Sequence, residues 1–96
     1  MKPQISEIQI IPVKPNNGLI AFCSFILFES LYCSSIAIYS RPDGSYRLLY
    51  PTKKLSNKDI SLFYPINKEF ADSILKEVIQ KFEDVMKYDR HNFPNN

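Results

Sequence analysis

The chain has 96 residues, 45% of them hydrophobic and 23% charged, with a formal net charge of +2. A chain of this length builds one domain around one modest core, and it is too apolar to remain disordered. Two cysteines and one histidine fall short of the roughly four ligands that a zinc site takes, and the near-neutral balance names no partner by itself.

The first predicted element is a half-buried strand in "ISEIQIIPV", residues 5–13. Ile8, Ile10 and Pro12 fall on the side opposite Glu7 and Gln9. Ile5, Glu7 and Gln9 do not share one chemistry, so the alternation is imperfect. Pro12 is expected to end or bend this strand, because proline has no amide hydrogen for a ladder. "KPNNG" follows as a turn, since Asn-Gly tolerates the positive φ of tight hairpins.

"LIAFCSFILF", 19–28, is apolar on both faces and fits a central strand; a short buried helix is the alternative reading. At ten residues it is about half a membrane span, no secretory leader is expected, and the chain reads as cytoplasmic. After a break at Glu29-Ser30, "LYCSSIAIYS", 31–40, is a third strand, with Tyr32, Ser34, Ile36 and Ile38 on one side. Cys23 and Cys33 lie in these apolar runs and read as buried thiols. "RPDGS" is a turn, and "YRLLY", 46–50, a fourth strand closed by Pro51.

A polar connector then leads to a change of period. Phe70, Ile74, Val78, Phe82 and Val85 recur every three or four residues, and Leu75, Ile79 and Met86 widen the stripe. This predicts an amphipathic helix of about five turns, with Asn67 as its N-cap. The fold class expected is α+β: four antiparallel strands, with room for a fifth, and one long C-terminal helix. Residues 1–88 form the domain, and 89–96 a polar tail. One helix covers one sheet face, so the apolar surface left over predicts a homodimer.

Charge is uneven along the chain. Residues 41–58 hold five cations (Arg41, Arg47, Lys53, Lys54, Lys58) against one anion, Asp43. Residues 67–87 hold four lysines against five acids. A basic stretch of this kind can draw phosphate, although a solvated lysine-rich turn has the same composition. Tyr46, Tyr50 and Tyr64 flank it and offer rings for base stacking, or for core and dimer packing. No catalytic set is visible: His91 sits in the tail, Ser34 and Ser35 lack a histidine partner, and there is no glycine-rich phosphate loop. No enzyme activity, cofactor or metal is expected.

Several short motifs in order resemble one family. "YPTKK", 50–54, is similar to the Met-Pro-Ser-basic-basic run of the septation protein G family, named for stage V of sporulation. "YPIN", 64–67, is similar to its His-Pro-Ile-Asn run before the helix. "EIQIIPV…NNGLIAFCSF" resembles its first hairpin, and the likeness runs from Ile5 to about Phe82. The chain departs from that pattern where the family has His-Asp-Ile; here stand Ser34, Ser35 and Ile36. Tyr50 and Tyr64 replace the family's Met and His. The resemblance implies a homodimer that binds DNA or RNA and regulates gene expression or division. It implies phosphate contacts by Lys53 and Lys54, extended by Lys58, Lys68 and Arg47. The alternative is a protein-interaction module in division or regulation that does not touch nucleic acid.

Overall fold

The computed structural model describes residues 4–92, with side chains through Lys87. Four antiparallel strands form one sheet in chain order: β1 (Ile5–Asn16), β2 (Leu19–Leu27), β3 (Leu31–Ser40) and β4 (Tyr46–Leu49). A separate two-stranded sheet follows, made of β5 (Thr52–Leu55) and β6 (Lys58–Ser61). The chain then enters one helix, α1 (Lys68–Asn92), which packs on one face of the larger sheet. The fold is α+β, as the sequence predicts.

Two β-bulges set which side chains enter the core. Glu7, at φ 52°, is the extra residue between the pairs Ser6↔Ile26 and Gln9↔Ser24. It shifts the phase, so that Ile5 joins Ile8 and Ile10 against the core. This accounts for the imperfect alternation of the first strand. Ser34-Ser35, with Ser35 at φ 62°, does the same in β3 between Cys33↔Phe25 and Ile36↔Cys23. Tyr32 and Ile36 therefore do not share a side, contrary to the even count along the sequence. Ile36 is fully buried and Tyr32 is 68% exposed.

Pro12 does not end β1, which continues to Asn16, but the pairing with β2 turns irregular directly after it, between Pro12↔Ala21 and Asn16↔Leu19. Proline is tolerated there because β1 is an edge strand, and an edge leaves half its amides outside the ladder. The Asn17-Gly18 turn has both φ values positive, 52° and 93°, as a tight hairpin requires. The next turn meets the same demand with less suitable residues. Phe28 and Glu29 stand at φ 52° and 55°, closed by the amide of Ser30 donating to the Leu27 carbonyl at 3.0 Å. An L-residue there costs roughly 1–2 kcal/mol. The Phe28 ring stacks on Phe70 at 6.1 Å, which offsets part of that cost. Glu29→Gly, which leaves the stack in place, is expected to raise stability by about 1 kcal/mol in urea denaturation.

The core is Ala21, Cys23, Phe25, Cys33, Ile36 and Ile38 of the sheet against Ile74, Val78 and Phe82 of the helix. Tyr46 of β4 meets Phe82 edge-on at 5.8 Å. Both thiols are buried and free, and burial pushes the pKa of Cys23 up to about 12. The helix starts where the side chain of Asn67 accepts a hydrogen bond from the Phe70 amide at 2.8 Å. Asn67→Ala is expected to cost about 1 kcal/mol, read as a lowered denaturation midpoint with an unchanged slope. The helix runs to Asn92, past the expected boundary at residue 88; the rest of the polar tail, 93–96, lies outside the described residues.

The second face of the sheet has no helix on it. Ile11 (62% exposed), Phe22, Tyr32 and Leu49 lie there. Among the described residues no helix is long and apolar enough to cross a membrane.

Candidate nucleic-acid interface

The basic segment is not the irregular connector that its composition predicts. Residues 52–61 pair as a hairpin, in the register Thr52↔Ser61, Lys53↔Ile60, Lys54↔Asp59 and Leu55↔Lys58. Its two-residue loop, Ser56-Asn57, has Ser56 at φ 59°. The amide of Leu62 donates to the Pro51 carbonyl at 2.9 Å and closes the base. Every residue of both strands is exposed. The signal was present in the sequence: "TKKL" and "KDIS" are separated by a two-residue turn, but too few β-branched or aromatic residues mark them as strands.

Pairing sorts the lysines by face. Cross-strand partners share a face, and so do residues two apart. Lys53, Leu55, Lys58 and Ile60 therefore lie on one side, and Thr52, Lys54, Asp59 and Ser61 on the other. Lys53 and Lys54 do not act side by side, as a linear reading of "TKK" suggests. The first face joins two ammonium groups to two exposed apolar side chains, Leu55 and Ile60. On the second face Lys54 stands directly across from a carboxylate. Sequence reasoning missed Leu55 and Ile60, because the face they share with Lys53 and Lys58 is set by the strand register.

The remaining predicted cations lie on other elements. Arg47 is exposed on β4, opposite Tyr39, on the side of the sheet away from the helix. Lys68 opens the helix and pairs with Asp72 at 3.1 Å. Both side chains of this pair are exposed, so it is a weak one. Arg41 belongs to the turn, where its amide donates to the Ser45 carbonyl at 2.8 Å. Asp43 accepts from the Ser45 hydroxyl and amide, and these bonds, aided by the Arg41 charge, hold its carboxyl below the usual range.

The flanking tyrosines also separate. Tyr46 packs on the helix and Tyr50 meets Phe63 edge-on at 6.0 Å. Only Tyr64, 57% exposed, offers a free ring near the hairpin base. Ser34 and Ser35 form the β3 bulge and line a shallow depression with Gln9, Phe22 and Tyr32 on the uncovered sheet face. The His91 side chain lies outside the described residues. Among the described residues no group of three or more His, Cys, Asp or Glu side chains is placed to hold a metal ion.

Comparison with models of known protein families gives no match, and no curated protein is significantly similar to the chain. The likeness to septation protein G therefore rests on the short motifs themselves.

Proposed function

We propose that this protein is a dimeric, cytoplasmic nucleic-acid-binding regulator, akin to septation protein G, that acts by binding and not by catalysis. The observation that carries the reading is the hairpin 52–61, which holds three lysines against one aspartate and is exposed along both strands. An arm of this shape fits against a phosphate backbone. Lysine supplies a mobile point charge for phosphate, without base readout. Two copies would present six such lysines, enough for weak, salt-sensitive binding. The uncovered sheet face, with Ile11, Phe22, Tyr32 and Leu49, supplies apolar area for a second copy. The regulated process, on this reading, is gene expression or division.

A second reading has its own observation. Leu55 and Ile60 share the face of Lys53 and Lys58, and an apolar pair flanked by charge also suits a protein partner. Pull-down from lysate with and without nuclease separates the two. Loss of the captured material on nuclease treatment supports the nucleic-acid reading. A protein partner that survives nuclease, with no affinity for DNA or RNA, supports the interaction module.

A further inference from the structure

The hairpin 52–61 stands off the body of the domain. Among the described residues its two strands make no extended contact with another strand or with the helix, and every residue of both is exposed. A free two-stranded ribbon has a shape that B-form DNA accommodates. The strands of a ribbon lie about 4.8 Å apart, and these two, at four residues each, are about 13 Å long. The major groove, about 12 Å wide and about 8.5 Å deep, admits such a ribbon, whereas the minor groove, at about 6 Å, does not. The major groove of A-form RNA is also too narrow.

The two faces of the ribbon are not equally suited to the groove floor. The face of Thr52, Lys54, Asp59 and Ser61 carries a carboxylate, which the phosphate walls repel. The other face carries none. On it the lysines take opposite corners: Lys53 of β5 lies across from Ile60, and Lys58 of β6 lies across from Leu55. Each strand therefore brings one lysine to the wall on its own side of the groove. Leu55 and Ile60, 49% and 41% exposed, take the other two corners. An apolar side chain gains nothing against phosphate. In the major groove it has one apolar group to meet, the 5-methyl of thymine. Resting on the nucleic-acid reading, we propose that the hairpin enters the major groove of duplex DNA. Lys53 and Lys58 meet phosphates on the two walls, and Leu55 and Ile60 pack on thymine methyls. These two residues then supply a base preference that lysine–phosphate contacts do not carry.

The test compares two labelled DNA duplexes of equal length by fluorescence anisotropy. One alternates adenine and thymine, and the other has uracil in place of every thymine on the same deoxyribose backbone. They carry the same phosphates and differ only in the methyl groups. Each methyl buried changes affinity about fourfold, so the full-length protein binds the thymine duplex about four- to fifteenfold tighter. In Leu55→Ser with Ile60→Ser the two affinities come together, and the salt slope keeps its wild-type value because Lys53 and Lys58 remain. If the double variant loses its salt slope, and with it the arm, the single variants take its place: each shows a smaller thymine preference than wild type. Equal wild-type affinity for the two duplexes, at a steep salt slope, overturns the inference and leaves phosphate binding intact. A thymine preference that the serine variants keep in full does the same, as does tighter binding to an RNA duplex or a single strand. No salt-dependent affinity for any of these nucleic acids overturns the nucleic-acid reading itself, and the inference with it.

Discussion

Replacing Lys53, Lys54 and Lys58 together by alanine is expected to weaken binding to duplex DNA by about a hundredfold at roughly 0.1 M salt, with the fold unchanged. Each lysine bound to a phosphate releases a condensed counterion, and its worth grows about eightfold for a tenfold drop in salt. Two such lysines multiply to about sixtyfold and three to about five hundredfold, so an arm with Lys53 and Lys58 engaged and Lys54 engaged in part loses about a hundredfold. The effect is not expected to divide evenly. Lys53 and Lys58 share a face with Leu55 and Ile60, whereas Lys54 stands across from Asp59. Lys53→Ala with Lys58→Ala should therefore account for most of the effect, and Lys54→Ala for the least. Fluorescence anisotropy with labelled duplex reads the affinities. Because these side chains are exposed, circular dichroism and the denaturation midpoint should stay where they are.

The largest effect on stability is expected at Phe25. Its side chain is 2% exposed, at the centre of the face that meets the helix. Phe25→Ala removes a ring from a packed core and leaves a cavity, at a cost of about 3–5 kcal/mol. A domain of this size has about 5–14 kcal/mol in all, so the variant should be marginal at 37 °C. Urea denaturation followed by tyrosine fluorescence measures the shift. Leu55→Ser, on the exposed hairpin, should stay within about 0.5 kcal/mol of wild type. The pair separates the residues that build the fold from those that dress the arm.

Most of the architecture is legible from periodicity. The change from period two to period 3.6 near Phe70 marks the helix, and Asn67 marks its start. The Asn-Gly and Pro-Asp-Gly runs locate two turns. The bulges are not legible as bulges. Glu7 and Ser35 each insert one residue, and only the broken alternation around Ile5 hints at either. An even count along β3 puts Tyr32 with Ile36, and the inserted serine separates them. The basic segment is legible as charge and not as shape. Lysine-rich strands with no buried face give no alternation to read, because neither side meets a core. Its register decides which lysines share a face, so the grouping of Lys53 with Lys58, and not with Lys54, comes only from the structure.

On the proposed reading the hairpin lysines meet phosphates. The salt dependence of binding tests it most directly, comparing wild type with the triple alanine variant on the same duplex. Plotted as log affinity against log salt, the wild-type slope should be steeper by about 0.9 for each phosphate-bound lysine that the variant lacks, about 2 for the Lys53 and Lys58 face of one arm, about 3 where Lys54 also engages, and more if both arms of a dimer engage. Equal slopes for the two proteins, at any affinity, would contradict this, and the three lysines would then be no more than the solvated charges of an exposed hairpin.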